Sequence, residues 1–228
     1  MAGSLIIYSK DDLLVFTWNK NSSSSIHEYC RSYNFTETTD TSLSDRIYNI
    51  SISIVQDPVI RWLKGFATYI HYNNLGQTVR DAIFGRENGF KGIDIQGILL
   101  ELVKSITSNF KNFDLDEHTD LIYSVEPYAS MDKSNNYYIE SSYVYELPKV
   151  FNRLFTDIKF NQIGRVNQSD NYQKLLHKEL FILNETNEEF NSSLEKYLKP
   201  DIDCYTNYEI LNNERAIRRC FYQISRYQ

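Results

Sequence analysis

The sequence has little glycine, proline or cysteine, and it has no surplus of positive charge. Only 8 Gly and 4 Pro occur in 228 residues, which sets collagen-like and low-complexity disordered classes aside. The 30 acidic side chains outnumber the 24 basic ones and give a net charge of −6. We therefore expect no nucleic-acid partner, because binding a polyanion normally requires a basic surface. The length of 228 residues suits one large or two small domains, and a single domain over residues 1–228 is the simpler expectation; the 42% hydrophobic content fits a globular protein.

The cysteines are too few and too scattered for a disulfide framework. Cys30, Cys204 and Cys220 are an odd number without C-x-x-C spacing, which favours free thiols in a reducing compartment. No apolar run approaches the roughly 20 residues of a membrane-spanning helix, and the N-terminus does not resemble a signal peptide. We expect a soluble, cytoplasmic protein, although six Asn-x-Ser/Thr sequons would be compatible with secretion.

The stretch VFTWNKNSSSSIHEYC predicts a strand, a loop and the start of a helix. The short apolar run at 13–16 is bounded by polar residues, which is typical of a strand buried on both faces. The hydroxyls at 23–25 suit a helix N-cap, and Ile26, Tyr29 and Cys30 follow at i, i+3, i+4 spacing. This order is the first half of a parallel βαβ unit.

A second junction of the same kind follows in NISISIVQDPVIRWLKGFATYIHY. A β-branched strand at 50–55 is broken by Asp57 as a cap and by Pro58 as a first helical residue, and apolar residues then recur at helical spacing. Two strands thus bring two helix N-termini to one sheet edge. Helix N-termini favour anions, and ligands of open α/β sheets bind outside the carboxyl ends of the strands.

The rest of the chain continues the alternation of strand and helix patterns. GIDIQGILLELVKSITSNF predicts an amphipathic helix of about 15 residues. DLIYSVEP and NYYIESSYVYEL predict short strands, LPKVFNRLFTDI predicts a helix with Pro148 in its first turn, and QIGRVNQSDNYQ predicts a loop. The remainder, including NYEILNNERAIRRCFYQI, reads as mostly helical. An α/β fold with a central parallel sheet is the predicted class.

The loop KNSSSSI has the composition of an anion site without being a known phosphate motif. It lacks the G-x-x-x-x-G-K-S/T pattern, and its lysine precedes the hydroxyls. A lysine at the entrance of a loop can nevertheless bind an anion that amides and hydroxyls at the helix start also hold. Taken by itself, the loop favours an ordinary serine-rich turn over an anion site.

Two motifs in this order resemble the sulfotransferase family. VFTWNKNSSSSI resembles its 5′-phosphosulfate loop, Pro-Lys-x-x-x-Ser/Thr-Ser/Thr, and SIVQDPVIRWLKGF, about thirty residues later, resembles its 3′-phosphate segment, V-R-D/N-P-x-x-R-x-x-S-x-F/Y. Less specific similarities are found in DEHTDLI, YVYEL, GRVNQS and CYTNYEIL. The resemblance covers nearly the whole chain, as for a carbohydrate-type or a soluble bacterial or viral relative. It implies a P-loop-like three-layer α/β sandwich in which helices flank a central parallel sheet.

The resemblance also implies a donor and the residues that hold it. The donor would be 3′-phosphoadenosine 5′-phosphosulfate, and no metal would be required. Lys20 would bind the 5′-phosphosulfate and stabilise charge on the leaving phosphate. The following residues would supply amides and hydroxyls to the same group: Asn21, Ser22, Ser23, Ser24 and Ser25.

The second motif departs from the family where the 3′-phosphate is expected. The family's arginine and serine fall on Gln56 and Lys64, eight residues apart. Gln56 can donate hydrogen bonds but carries no charge, whereas Lys64 adds a charge where a neutral residue is usual. Three interpretations stay open here: a compensated site, a donor without a 3′-phosphate, and an inactive site. Arg61 matches the family and is equally suited to a structural role.

The remaining candidates have weaker support. Glu37 is the first choice for the base that deprotonates the acceptor, ahead of Asp40, while His27 suits a helix surface or a satisfied position in the core. Trp18 would pack on adenine or in the core. The resemblance of the GRVNQS loop implies that it closes over the nucleotide, although an ordinary turn fits it as well. The nucleotide-contacting residues of that loop would be Asn167 and Ser169.

The resemblance implies in-line transfer of a sulfuryl group to a hydroxyl or amine of a small-molecule, lipid or carbohydrate acceptor. A P-loop-like kinase is one alternative, which the missing Gly-Lys-Ser/Thr signature disfavours. A nucleotide-binding relative without catalytic activity is another, since a fold can persist after its site has changed.

Overall fold

The computed structural model describes residues 5–18, 21–39, 50–72, 95–106, 115, 118–125, 136–164 and 171–224. The strands are β1 (Ile6–Lys10), β2 (Leu13–Thr17), β3 (Thr36–Thr38), β4 (Ile50–Val55), β5 (Asn136–Glu140) and β6 (Ile210–Leu211). The helices are α1 (Ser23–Ser32), α2 (Pro58–Tyr72), α3 (Ile95–Ile106), α4 (Leu147–Leu154), α5 (Asn171–Thr186), α6 (Glu188–Thr206) and α7 (Glu214–Ile224), and a 3-10 helix spans Ser141–Glu146.

The elements group into two compact units. The sheet unit comprises residues 4–56, 125–167 and 207–228, and the helical unit comprises residues 57–124 and 168–206. All six strands belong to the sheet unit, together with α1, α4 and α7. The helical unit contains α2, α3, α5 and α6.

The sheet has the order β3-β1-β2-β4-β5-β6 and is mostly parallel. β4 pairs in parallel with β2 and with β5, and β5 pairs in parallel with β6. β1 is antiparallel to both β2 and β3. The predicted α/β class with a central, mostly parallel sheet and flanking helices is therefore confirmed.

One face of the sheet forms a core with α1, α4 and α7. Because successive side chains of a strand point to opposite faces, alternate residues of the central strands, such as Val15 and Ile52, reach this core. The predicted stripe of α1 is buried there, and its members are Ile26, Tyr29 and Cys30. The spacing in the sequence thus predicted the buried face of α1 correctly.

The helical unit has a core of its own around α2. Trp62 and Phe66 of α2 stack with their ring centroids 4.9 Å apart and lie among leucines from α5 and α6. Asp57 and Pro58 start α2 as predicted, since the Asp57 carboxylate accepts hydrogen bonds from the backbone of Val59 and Ile60. The sequence prediction of a strand-to-helix junction is confirmed at this point.

The segment at 120–125 is not a strand, contrary to the prediction for DLIYSVEP. The buried carboxylate of Asp201 in α6 accepts backbone hydrogen bonds from Ile122, Tyr123 and Ser124, at 2.8, 3.0 and 3.0 Å. These N–H groups bind a side chain rather than a neighbouring strand, so the segment takes an irregular course. Its partner is 79 residues away from Ile122 in the chain, which explains why local patterns did not predict it.

Two other predictions needed correction. β5 ends at Glu140 and a 3-10 helix follows, so only the first part of NYYIESSYVYEL is a strand. Ile210–Leu211 forms the short strand β6 inside a stretch that was predicted to be helical. The amphipathic helix in the middle of the chain is confirmed as α3, and the helix with Pro148 in its first turn is confirmed as α4.

The three cysteines form no disulfide, as predicted; Cys30 is buried, whereas Cys204 and Cys220 are half-buried. Within the described residues, no helix combines the length and the apolar character that crossing a bilayer requires.

Candidate functional site

The sheet has a switch point between β2 and β4. β2 leads through α1 to β3 on one side of it, whereas β4 leads through α2 to β5 on the other side. Adjacent parallel strands whose connections leave in opposite directions form a crevice at their carboxyl ends, and ligands of open α/β sheets bind in that crevice. The two motifs found in the sequence follow these two strands.

The connection from β2 to α1 is short and closed by hydrogen bonds. The backbone N–H of Asn21 donates to the carbonyl of Trp18 at 3.0 Å, and the hydroxyl of Thr17 donates to the carbonyl of Asn21 at 3.2 Å. Lys20, the predicted ligand of the phosphosulfate, lies outside the described residues. Trp18 and Asn21, the nearest described residues before and after Lys20, are thus joined by a backbone hydrogen bond.

Asn21 joins the two motif strands. Its side-chain amide donates to the carbonyl of Ile54 in β4 at 3.0 Å, and the residue is fully buried. The side chain of Asn21 therefore holds the loop to the end of β4. Its proposed role as a donor to the ligand stays a prediction.

Ser22 links the N-terminus of α1 to the end of a third strand, β5. Its hydroxyl donates to the carbonyl of Ser141, directly after β5, at 3.3 Å. Ser22 is the N-cap residue of α1 and has a φ of 61°, but its side chain makes no capping hydrogen bond. The N-terminus of α1 is therefore not capped in the usual way by a serine hydroxyl.

The other predicted loop residues form the first turn of α1. Ser23, Ser24 and Ser25 are half-buried, and the first turn contains no acidic residue. The backbone N–H groups of a first helical turn have no partner within the helix, and the helix dipole favours an anion near them. The corner between β2 and α1 therefore brings the first turn of α1 together with the ends of β2, β4 and β5.

The N-terminus of α2, in the helical unit, differs in its chemistry from the N-terminus of α1. Gln56 is buried at the end of β4. Asp57 Oδ1 lies 2.9 Å from the backbone nitrogen of Val59 and 3.0 Å from that of Ile60. The carboxylate of Asp57 thus caps the N-terminus of α2, as the sequence predicted.

Lys64 is half-buried in α2, within the helical unit. Burial, together with the charge of Lys64, lowers the pKa of His177 in α5 to about 4. The charge of Lys64 therefore acts on the interior of the helical unit. A contribution of Lys64 to phosphate binding stays a prediction.

Glu37, the predicted base, lies in β3 opposite Tyr8 of β1. Its carboxylate is 3.4 Å from Nδ1 of His27, and the hydroxyl of Tyr8 is 2.9 Å from the same nitrogen. His27 is thus a half-buried residue with polar partners, which fits the satisfied position expected of it. Glu37 is separated from β2 by the whole of β1, and its catalytic role stays a prediction.

Of the other residues considered for the site, two are buried and three lie outside the described residues. Trp18 is 1% exposed at the end of β2, which favours the packing role over adenine binding. Asn167 and Ser169 lie outside the described residues, as does Asp40. Arg61 is fully buried, and its guanidinium donates to the carbonyls of His118 and Asp120. Arg61 therefore has the structural role that was left open for it.

Sequence reasoning missed the contribution of the end of β5. Glu140 caps the following 3-10 helix by accepting a hydrogen bond from the backbone of Ser142 at 2.9 Å, and the carbonyl of Ser141 accepts from Ser22. The acceptor is a main-chain atom, which no side-chain pattern identifies. The strand prediction for NYYIESSYVYEL and the YVYEL resemblance covered this part of the chain, but neither identified the carbonyl of Ser141 as an acceptor.

No protein-family model matches the chain, and neither a curated protein nor a solved structure matches it.

Proposed function

We propose that this protein is a sulfotransferase that uses an adenosine 5′-phosphosulfate nucleotide as donor, and that the corner between β2 and α1 holds the phosphosulfate. The observation that carries this proposal is the hydrogen bond of 3.0 Å from the Asn21 amide to the carbonyl of Ile54. It joins the loop that resembles the family's 5′-phosphosulfate loop to the strand of the second motif. The junction coincides with the switch point, where open α/β sheets bind their ligands.

The chain's own groups suit an anion at this corner. The first turn of α1 offers backbone N–H groups and the positive end of the helix dipole, with no acidic side chain among its residues. Ser22 directs its hydroxyl to Ser141 rather than to this turn. No acidic side chain within the first turn of α1 therefore opposes an anionic group of a ligand.

The donor would supply a sulfur centre that is attacked in line while charge develops on the leaving phosphate oxygen. Fixed dipoles directed at such a charge lower the barrier, as they do in phosphoryl transfer. The hydrogen bonds of Thr17 and Asn21 fix the backbone of the loop before the ligand binds. Such preorganisation avoids the cost of reorienting dipoles during the reaction.

Thermal shift with a panel of nucleotides tests the proposal. The panel contains adenosine 3′,5′-bisphosphate, AMP, ADP, and ATP with Mg²⁺. Stabilisation by AMP or by the bisphosphate, without added Mg²⁺, is the expected result. A ligand at 100 times its dissociation constant adds about 2.7 kcal/mol to the free energy of unfolding.

The alternatives give other patterns in the same panel. A preference for ATP that requires Mg²⁺ would select a kinase, and no stabilisation by any of the four would exclude a nucleotide site. If AMP or the bisphosphate binds, the Lys20→Ala variant should keep its thermal midpoint without ligand and lose sulfuryl transfer. Retained affinity without any transfer in the unaltered protein would select the non-catalytic relative.

A further inference from the structure

We infer that the cleft between β6 and α7 binds an extended, acidic segment of a partner protein. The described residues that line this cleft all lie between Glu209 and Cys220. They belong to the sheet unit, and none of them is among the residues of the corner between β2 and α1. The inference therefore concerns a second site and does not depend on the proposed function.

The cleft has a half-buried floor and a positively charged rim. Leu211 of β6 and Cys220 of α7 pack against the core of the sheet unit and form the floor. Arg215 and Arg219, one turn apart in α7, are exposed and line the same cleft. The volume of about 380 Å³ falls in the range of ligand clefts, roughly 300–1,000 Å³. The cleft therefore has room for a few side chains of a partner.

β6 is the last strand of the sheet. In the strand order it has β5 on one side and, among the described residues, no strand on the other. An edge strand presents backbone N–H and C=O groups to a further strand, and extended peptides add to such edges. Because β6 has only two residues, these backbone groups set the direction of the peptide, and most of its affinity must come from side chains.

The side chains of the cleft favour an acidic partner. Within the described part of the chain, neither Arg215 nor Arg219 has an ion pair, whereas the neighbouring Arg218 binds two glutamates. Glu209 is the only acidic residue among the described residues that line the cleft, so one guanidinium charge is left uncompensated. Guanidinium groups bind carboxylates through paired hydrogen bonds, and a single excess charge is too small for a nucleic acid.

Alkylation of Cys220 by iodoacetamide, measured by peptide mass spectrometry, tests the inference. The probe is a blocked hexapeptide of alternating valine and glutamate. An occupied cleft should slow alkylation of Cys220, about threefold when the peptide is present at twice its Kd. Cys204, half-buried in the helical unit, is the internal control and should react at an unchanged rate. Burial and the charge of Glu209 raise the pKa of the Cys220 thiol, so the reaction is run at alkaline pH.

The same experiment distinguishes other occupants of the cleft. The peptide with lysine in place of glutamate should not protect Cys220, and equal protection by both peptides, or none by either at millimolar concentration, would overturn the inference. Equal protection by citrate would assign the cleft to a small anion. Protection that rises with protein concentration, without peptide, would assign it to a second copy of the chain. Either of these results would also overturn the inference.

A double variant tests the role of the two arginines. Arg215→Gln combined with Arg219→Gln should lose the protection by the acidic peptide, because both guanidinium groups are removed from the cleft. Arg31→Gln is the matched control, since Arg31 is exposed in α1 and does not line the cleft. Both variants should keep thermal midpoints close to that of the unaltered protein, because exposed substitutions change stability little. Undiminished protection in the folded double variant would overturn the inference.

Discussion

Asn21 is the side chain on which the candidate site depends most. It is fully buried, and its amide spans from the loop after β2 to the carbonyl of Ile54 in β4. A buried carbonyl that loses its donor costs more free energy than an average hydrogen bond contributes. Asn21 therefore contributes to the stability of the sheet unit and to the geometry of the loop at once.

Replacing Asn21 by alanine should lower the free energy of unfolding by about 1–3 kcal/mol. Urea unfolding should show a lower midpoint with an unchanged slope. Asn212→Ala is the control, because Asn212 is exposed and its side chain accepts a long hydrogen bond of 3.4 Å from the amide of Asn213. Its effect should stay within about 0.5 kcal/mol, and an equal loss in both variants would contradict the role of Asn21.

Glu146 should make the protein less stable in acid. Its side chain is 1% exposed; burial alone would raise its pKa, but hydrogen bonds from Arg218 and Lys149 outweigh burial and lower it. The stabilisation is therefore complete above the pKa of an unfolded glutamate, roughly 4.3, and is lost as the pH falls below it. At pH 7 the Glu146→Gln variant should have a lower free energy of unfolding than the unaltered protein. Urea unfolding should show that this difference becomes smaller as the pH is lowered to 3.

His177 should add a second loss of stability at a higher pH. Burial and the charge of Lys64 lower its pKa to about 4, whereas the pKa of an unfolded histidine is about 6.5. The unfolded chain thus binds the proton first, and stability should fall as the pH drops from about 6.5 to 4. A His177→Gln variant that keeps the whole of this pH dependence would contradict the assignment.

At the level of elements, α2 is held against the segment at 118–120 by close contact rather than by a regular sheet or helix pairing. The backbone of Gly65 approaches the carbonyl of His118 so closely that a Cβ on Gly65 would lie 2.0 Å from that oxygen. Arg61, one turn earlier in α2, donates to the carbonyls of His118 and Asp120. Two residues of one helix thus fix an irregular segment.

Gly65→Ala should therefore destabilise the protein strongly, because the clash separates α2 from the carbonyls that bind the buried Arg61 guanidinium. We expect a loss of about 3 kcal/mol or more, as for other disrupted buried charges. Gly164→Ala is the matched control, since no atom lies within 4 Å of its added Cβ. Similar thermal midpoints for the two variants would refute the close contact.

Periodicity predicted several elements correctly because their burial follows local rules. The stripe of α1 and the capping of α2 by Asp57 both depend on residues within one helical turn. The segment at 120–125 was mispredicted because Asp201, far away in the chain, takes its N–H groups. The short strand β6 gave no signal, since two residues show no alternation.

For the whole molecule, the order of strands decides where a ligand can bind. The sequence predicted that the two motifs end on one sheet edge, and β2 and β4 are indeed parallel neighbours. It did not predict the antiparallel β1 or the reversal of direction between β2 and β4, since pairing partners depend on tertiary contacts. The hydrogen bond from Asn21 to the carbonyl of Ile54 could not be predicted either, because the sequence shows Asn21 only as a residue of a polar loop.

The position of the ligand on the sheet is the central claim, and amide chemical shifts measure it most directly. Titration of ¹⁵N-labelled protein with AMP should cause its largest shift changes at the amides of Asn21–Ser25, with smaller changes at Gln56 and Ser141. The amides of the helical core, such as that of Phe190, should not move. Saturable changes confined to another surface, or no change at millimolar AMP, would contradict a nucleotide site at this corner.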